Sequence, residues 1–233
     1  TNDLSYDQRM QRICGSLAAH GYDCLLVGRL RNNSKRLPIF TFRTHRIKCY
    51  FEKGKFFYLE YNLRLFFFLL SRNFSAICAI DLDTLFPATL VSSLKKNKLV
   101  YDAHEYFTEV PEVVNRKTIK AVWEQVAKTC IPKADSCYTV GPKLAEILGN
   151  KYHNDFEVIR NLPSINNSPP TGEVRVGQII LYQGALNEGR GLEELIKAAV
   201  NLPVKVLVAG EGDLSQSLRK LAKDLGANNV EFL

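Results

Sequence analysis

Residues 182–191 read YQGALNEGRG, and residues 209–213 read AGEGD. Each stretch follows an apolar run typical of a buried strand and comes before a helical pattern. The predicted elements of this region are strands over Gln178–Gln183, Val204–Ala209 and Val230–Leu233, and helices over Leu192–Val200 and Leu214–Leu225. Strands that alternate with helices predict an α/β domain in which a parallel sheet carries helices on both faces.

The same alternation occupies the earlier part of the chain. Strands are predicted over Tyr22–Gly28, Ala76–Ile80, Leu99–Asp102 and Ser136–Val140. Helices are predicted over Gln8–His20 and Phe56–Leu70, over the apolar face from Ile119 to Cys130, and from Gly141-Pro142 onward. Between the two regions, Arg160–Gly177 reads RNLPSINNSPPTGEVRVG, whose prolines and turn formers indicate a linker. We therefore predict a Rossmann-like domain over 1–158, a linker over 159–177, and the first half of a second Rossmann-like domain over 178–233. Three strands are few for a doubly wound sheet, and the opening loop Asn2-Asp3-Leu4-Ser5 leads into the first helix with no strand before it, so we expect the chain to be truncated at both ends.

Composition places the chain among ordinary globular proteins. Apolar residues make up 46% of the 233 residues and charged residues 24%, which excludes disordered and fibrous classes. The six cysteines form no C-x-x-C pair. We therefore expect reduced, mostly buried thiols in a cytoplasmic protein rather than a disulfide framework or a zinc site.

The net charge of +7 is concentrated in the first third of the chain. Residues 1–72 contain 13 Lys and Arg against five Asp and Glu, whereas residues 73–233 contain 18 against 19. A basic region of this kind predicts an anionic partner, which could be a membrane surface, a nucleic acid or a phosphorylated substrate. The segment Phe56–Leu70, FFYLEYNLRLFFFLL, is too short to span a bilayer. It is either a helix packed on the sheet or an interfacial helix that contacts anionic lipid.

The loop 184–191 has the chemistry of an anion site. Gly184, Gly189 and Gly191 let the backbone approach a ligand closely, and the helix that follows begins with free N–H groups. Arg190 adds a charge with bidentate geometry for phosphate. The spacing also resembles a P-loop, but Arg190 replaces its lysine and Gly191 replaces its magnesium-binding hydroxyl. A nucleotide-binding loop and a simple tight turn therefore both stay open.

Two further clusters follow predicted strands. Gly210 and Gly212 form a G-x-G that permits close approach of a nucleotide, although Ser215 replaces the third glycine of the Rossmann fingerprint. His104 and Glu105 follow the strand Leu99–Asp102, at the edge where open α/β sheets bind ligands. The imidazole is thus a candidate to contact a sugar hydroxyl, and the alternative is a polar cap bonded to nearby backbone.

The opening residues contain two more candidates, Asp7 and Arg9. If the loop before the helix Gln8–His20 faces the same edge of the sheet, both side chains would line a cleft. Arg9 would then meet a phosphate of the acceptor or the donor. Equally, Asp7 would only cap the helix, a common role for aspartate.

Seven segments taken in order resemble family 4 glycosyltransferases of the GT-B fold over essentially the whole chain. They are NDLSYDQRMQRI, LVGR, DLDTL, YDAHE, VIRNLP, YQGALNEGRGLEELIKA and VLVAGEGD. The resemblance implies an acceptor-side domain followed by a nucleotide-sugar-binding domain. It also implies sugar transfer with retention of configuration, with the nucleotide sugar as substrate and no metal or other cofactor.

The resemblance also implies roles for individual residues. His104 matches the catalytic histidine near the transferred sugar. The donor-binding positions are Gly184, Arg190, Gly191, Gly210 and Gly212. Ala185 stands where many members have a second phosphate-binding arginine, and the family's E-x7-E donor motif would lie beyond Leu233, so we expect this fragment alone to be inactive.

We therefore predict a cell-envelope glycosyltransferase that moves a sugar from a nucleotide-sugar donor to a lipid-linked or polysaccharide acceptor. It would act in the cytoplasm or peripherally at the inner face of the membrane. No nucleic-acid partner is expected, because the basic region lacks aromatic interleaving on a recognised module. Two alternatives remain: a sugar-nucleotide epimerase of the same fold, and a P-loop-like nucleotide-binding protein.

Overall fold

The computed structural model describes residues 1–5, 7–162 and 179–233. The chain divides into two compact units. The first unit is Thr1–Pro163 and the second unit is Ser164–Leu233. Each unit has its own hydrophobic core, as expected for domains that fold around separate sheets.

The predicted linker over 159–177 lies mostly outside the described residues. Its first residues belong to the first unit, because the N–H of Ile159 donates to the carbonyl of Thr139 over 2.8 Å. The side-chain oxygen of Asn161 accepts a 2.6 Å hydrogen bond from Arg12. The predicted domain limits at 158 and 178 stay predictions.

The first unit alternates strands and helices. Its strands are β1 (Leu25–Leu30), β2 (Arg43–Lys48), β3 (Ala76–Ile80), β4 (Lys98–Ala103), β5 (Ser136–Thr139) and β6 (Phe156–Val158). Its helices are α1 (Gln8–Ala19), α2 (Gly54–Leu70), α3 (Leu82–Lys95), α4 (Pro111–Val114), α5 (Lys117–Cys130) and α6 (Pro142–Tyr152), with 3₁₀ turns at Phe107–Glu109 and Ile131–Lys133. The predicted strands and helices are confirmed, most of them with shifted ends, whereas β2, β6, α3 and α4 were not predicted.

All the strand pairs described in the first unit are parallel. One pair is β1-β2, and a second sheet has the order β3-β4-β5-β6. In the second sheet Ile80 lies beside Asp102, so β3 and β4 end at the same edge. Residues that follow these two strands therefore come close together, although they are more than 20 positions apart along the chain.

Helix α2 is apolar on two faces. One face is buried in the core of the first unit and consists of Phe57, Tyr61, Leu65 and Leu69. The other is a stripe of residues 54–67% exposed: Phe56, Leu59, Leu63 and Phe67. The helix was predicted correctly, and the expectation that it packs on the sheet describes only its buried face.

The second unit repeats the α/β pattern on a smaller scale. Its elements are β7 (Ile179–Gln183), α7 (Leu192–Ala199), β8 (Lys205–Ala209), α8 (Ser215–Asp224) and β9 (Val230–Phe232). The strands pair in parallel in the order β7-β8-β9. The two helices bury apolar residues against them, among them Ile196 and Leu218. Every element predicted for this region is confirmed within one residue at each end.

All six cysteines are free, as expected. Cys14, Cys130 and Cys137 are buried, whereas Cys78 is exposed, so burial is less general than predicted. Burial raises the pKa of Cys14 and Cys137 to about 12, so these thiols are protonated and unreactive at neutral pH.

Candidate active site

Two strand ends of the first unit place a histidine against an aspartate. Strand β3 ends just before Asp81, and β4 ends just before His104. The backbone N–H of Asp81 donates to the carbonyl of Asp102 over 2.9 Å, which fixes the two ends together. As a result, Oδ2 of Asp81 lies 2.7 Å from Nδ1 of His104. Asp81 and His104 are 23 positions apart in the sequence, so their contact depends on the register of β3 against β4 and not on sequence proximity.

Asp81 adopts an unusual backbone conformation at this position. Its φ is 57° and its ψ is 173°, a combination that costs a non-glycine residue about 1–3 kcal/mol. It is the N-cap residue of α3, but its side chain makes no capping hydrogen bond among the described residues. The carboxylate is turned toward His104 instead. A helix N-terminus thus gives up a cap that aspartate normally provides.

Asp81 is only 7% exposed, and neither its Oδ1 nor Nδ1 of His104 has a hydrogen-bond partner of good geometry among the described residues. Burial raises the pKa of Asp81, and the contact with His104 opposes that rise in part. The same contact raises the pKa of His104, although burial acts in the opposite direction. The His104 side chain is 34% exposed, so a ligand can reach it.

Glu105 brings a third ligand-type atom within 4.8 Å of Asp81 and His104. A tetrahedral divalent cation at about 2.0–2.1 Å from a nitrogen and an oxygen holds these atoms about 3.3 Å apart. The observed 2.7 Å between Nδ1 and Oδ2 is shorter than that and lies in the range of charge-assisted pairs, while the ring N–H itself is not aligned with the carboxylate. The geometry therefore fits an acid–imidazole pair better than a metal site.

Arg9 makes a buried ion pair next to this site. Its guanidinium donates two hydrogen bonds to the Asp102 carboxylate, over 2.6 and 2.7 Å. Asp102 is fully buried, and the Tyr138 hydroxyl also donates to it, over 2.9 Å. Burial lowers the pKa of Arg9, but the contact with Asp102 outweighs this effect and raises it overall. The structure thus commits Arg9 to holding α1 against β4, and its predicted contact with a phosphate stays untested.

Asp7 has the structural role that the sequence left open. It is the N-cap of α1, and its Oδ1 accepts a 3.1 Å hydrogen bond from the N–H of Met10. Its other oxygen lies 3.4 Å from the amide nitrogen of Asn2. Capping explains this aspartate, and its role as a cleft residue stays a prediction.

In the second unit, the loops after β7 and β8 pack directly on each other. Gly184 donates its N–H to the carbonyl of Ala209 over 3.0 Å, and Leu214 donates to the carbonyl of Leu186 over 2.8 Å. At Gly210, where φ is 152°, an added Cβ would lie 1.9 Å from the Gly184 carbonyl oxygen. Close packing of the two loops therefore requires glycine there, whether or not a ligand binds.

Gly212 has the same constraint. An added Cβ would lie 2.5 Å from the carbonyl oxygen of Leu186 and 2.4 Å from Oδ1 of Asn187. The N–H of Asp213 donates to that Asn187 oxygen over 3.2 Å. The two predicted donor loops are thus brought together, at the carboxyl ends of adjacent parallel strands.

Arg190 lies on the surface at the start of α7. Its neighbours Gly189 and Gly191 have φ values of 82° and 68°, which favour glycine, and Gly191 is the N-cap of the helix. The arginine side chain is exposed, and the first helical turn contains Glu193 and Glu194. The predicted cation, Arg190, therefore lies in the loop, and two negatively charged carboxylates follow it in the first turn of the helix.

No protein-family model and no curated protein matches this chain. Several solved structures do match it. HepE from Anabaena, in complex with UDP and glucose, aligns with a TM-score of 0.69 and 15% identity over 100% of this chain and 67% of its own. Sucrose-phosphate synthase from Thermosynechococcus elongatus aligns with 0.70 and 15% over 96% and 63%. The lipopolysaccharide outer core galactosyltransferase WaaB aligns with 0.65 and 12% over 100% and 65%.

The chain has a GT-B-type fold. It spans about two thirds of the length of these GT-B structures, and the second of its two Rossmann-like units contains three described strands. The predicted fold class is thereby confirmed. At 12–15% identity the likeness establishes the fold, and the ligands in those structures belong to those proteins.

Within this GT-B-type fold, Asp81, Asp102 and Tyr138 were missed as site residues. Asp81 follows the predicted strand Ala76–Ile80 directly, so the strand-end rule that selected His104 would also have selected it. Tyr138 lies inside the predicted strand Ser136–Val140 and carries no such signal. From the sequence, Asp102 had no role beyond ending the strand before His104, because its partner Arg9 is 93 positions away.

Proposed function

We propose that this chain acts as a retaining glycosyltransferase of the family 4 type, which takes its sugar from a nucleotide-sugar donor. The observation that carries the proposal is His104 at the carboxyl edge of the four-stranded sheet β3-β4-β5-β6, partly exposed and held against a buried carboxylate. The GT-B-type fold supports it, because the structures with this fold that match the chain include a galactosyltransferase, a sucrose-phosphate synthase and a protein solved with UDP and glucose. The YQGALNEGRG and AGEGD loops support it as well.

In this proposal, His104 contacts a hydroxyl of the transferred sugar. An imidazole whose Nδ1 is held by a carboxylate can accept or donate at Nε2, which suits it to orient a hydroxyl in the transition state. His104→Gln should lower kcat and leave the affinity for UDP unchanged. If His104→Gln weakens UDP binding as strongly as it lowers kcat, this role is wrong and the histidine takes part in nucleotide binding.

The donor diphosphate is proposed to bind at the loop 184–191, with Arg190 as its charged contact. Arginine there would neutralise charge that grows on the diphosphate as the sugar leaves, so its contribution is largest in the transition state. Gly184, Gly191, Gly210 and Gly212 would admit the nucleotide backbone. No bound metal or other cofactor takes part in this proposal, so activity should survive excess EDTA.

The test is sugar transfer from a panel of UDP- and other nucleotide sugars by the full protein. Arg190→Ala should lower kcat/KM for the donor by about 10²–10³. Lys197→Ala is the matched control, because Lys197 is an exposed cation at the other end of the same helix. Equal activities of the two variants would refute the assignment. Nucleotide hydrolysis that requires magnesium would favour the P-loop alternative, and isomerisation of the sugar nucleotide without transfer would favour an epimerase.

The acceptor is proposed to be a lipid-linked or other saccharide of the cell envelope, reached from the inner face of the membrane. The exposed stripe of α2 (Phe56, Leu59, Leu63 and Phe67) is the surface that would touch the bilayer. No helix in the described residues is long and apolar enough to cross a membrane. An apolar stripe beside cations is typical of a helix that lies in the headgroup region.

Basic residues flank this stripe. Lys55 lies 5.2 Å from the ring centre of Phe56, and Arg72 follows the end of the helix. On the neighbouring helix α3, Lys95 reaches the carbonyl of Arg72 over 2.5 Å, which brings two cations to that end. Lys55 and Arg72 belong to the basic region 1–72, Lys95 lies outside it, and all three charges complement an anionic lipid surface.

Flotation of the protein with vesicles tests this surface. Binding should occur with vesicles that contain anionic lipid, weaken with salt, and be lost in a Leu63→Ser/Phe67→Ser variant. Val122→Ser is the control, because Val122 is 61% exposed on α5. Binding that does not distinguish anionic from neutral vesicles, or that survives loss of the stripe, would remove the membrane proposal.

A further inference from the structure

We propose that Asp81 is a positioning residue for His104. Its carboxylate accepts the Nδ1–H of the imidazole, which fixes one tautomer and leaves Nε2 to face a ligand hydroxyl. This inference rests on the proposed function, because it explains how the histidine would be presented to a sugar. Asp81 itself touches neither donor nor acceptor in this scheme.

The distance supports a direct contact, and a rotation of the imidazole would align its Nδ1–H with the carboxylate, because Nδ1 has no hydrogen-bond partner of good geometry among the described residues. Nδ1 and Oδ2 are 2.7 Å apart. The Asp81 backbone is fixed by the hydrogen bond from its N–H to the carbonyl of Asp102, and Asp102 is itself held by Arg9 and Tyr138. The carboxylate therefore has a defined position relative to the strand that carries the imidazole.

The conformation of Asp81 gives independent support. An aspartate at an N-cap ordinarily bonds to the first turn of its helix, in an unstrained extended conformation. Asp81 makes no such bond among the described residues, and its positive φ of 57° is unfavourable for a residue with a side chain. Strain of this kind persists where the surrounding structure fixes it, and it is concentrated at functional sites.

The charges around His104 come from several elements. Arg9 on α1 lowers the pKa of His104, whereas Glu105 raises it. Asp83 on α3 and Asp102 on β4 act on the Asp81 carboxylate. The Asp81 carboxylate lies 2.7 Å from the ring nitrogen Nδ1, so its removal should change the tautomer.

Long-range ¹H–¹⁵N spectra of the full protein, labelled at histidine, test the inference. The chain has four histidines, and His104→Gln assigns the signal of interest. In the wild type the neutral ring should be protonated at Nδ1. Asp81→Ala should abolish that preference, and Asp81→Asn, which keeps the shape, should lower the pKa of His104 by about one pH unit. Asp83→Ala is the matched control and should leave the tautomer unchanged.

A wild-type ring protonated at Nε2, or an unchanged tautomer in Asp81→Ala, would overturn the inference. A variant that only melts at a lower temperature, with its tautomer intact, would show a structural role and would overturn it too. In the transfer assay Asp81→Ala should lower kcat about tenfold with KM unchanged, and should add nothing to His104→Gln. If His104→Gln transfers sugar normally, the proposed function of the histidine fails, while the spectra still decide whether Asp81 holds it.

Discussion

Removing the carboxylate of Asp102 tests how the first unit holds α1 against its sheet. Asp102 is fully buried, and it accepts two hydrogen bonds from Arg9 and one from Tyr138. Asp102→Ala leaves a guanidinium, which is only 10% exposed, without a counter-ion. Breaking a buried pair by removing one partner costs about 3–5 kcal/mol. Loss of that size is a large part of the 5–15 kcal/mol that stabilises a typical domain.

The chain provides a matched control in a second bidentate pair. Arg43 donates to both oxygens of Asp23, over 3.1 and 2.7 Å, but these side chains are 61% and 76% exposed. Solvent screens such a pair, so Asp23→Ala should cost about 1 kcal/mol or less. Both substitutions remove a carboxylate that forms a bidentate pair with arginine, and they differ in burial and in the one further hydrogen bond that Tyr138 donates to Asp102.

Urea unfolding followed by tryptophan fluorescence measures both variants. Trp123 is the single tryptophan of the chain and packs against Tyr58 and Phe107 in the first unit, so its emission reports on that unit. The reasoning is refuted if Asp102→Ala loses no more stability than Asp23→Ala. An Arg9→Met/Asp102→Leu variant should recover much of the loss, because it removes both charges together.

Three further outcomes follow from individual positions. Gly210→Ala should destabilise the second unit by about 2 kcal/mol or more in far-UV CD melts, because its Cβ would lie 1.9 Å from the Gly184 carbonyl oxygen; a melt like the wild type's would contradict the loop packing. Gly15→Ala should stabilise the first unit by about 0.5–1 kcal/mol in urea, since Gly15 lies within α1 and its Cβ would meet no described atom within 4 Å. The contact with Asp81 raises the pKa of His104, so it stabilises the folded state where the imidazole is protonated, whereas burial and not the contact raises the pKa of Asp81. The stability advantage over His104→Gln should be present below about pH 6.5, fall as pH rises through the raised pKa of His104, and show as a larger difference in urea midpoint at pH 5.5 than at pH 8.5.

Much of the fold could be predicted because apolar runs mark the buried strands. Ala76–Ile80 is identical to β3, and the elements of the second unit match within one residue. Strand β2 was missed because its sequence, RTHRIK, is mostly charged or polar. Only Ile47 of that strand is buried, so the period-two apolar signal is too weak to read.

The site could be predicted only where a single strand end determines it. His104 follows an apolar strand at the ligand edge, and sequence order alone gives that position. Its partner Asp81 requires the register of β3 against β4, which no local pattern contains. Arg9 shows the same limit, because an arginine suited to a phosphate is equally suited to a carboxylate, and the choice depends on a strand 93 positions away.

The second unit shows why glycine content is weaker evidence for a nucleotide site than charge. Gly210 and Gly212 are required by contacts between two loops, so they would be glycine with or without a ligand. The positive end of α7 already faces Glu193 and Glu194, which the helix dipole stabilises in the first turn. A diphosphate there meets two like charges, so its binding must draw mainly on Arg190 and on backbone N–H groups. The proposed donor site therefore depends on one exposed side chain, and that residue, more than any of the glycines, separates a nucleotide loop from a tight turn.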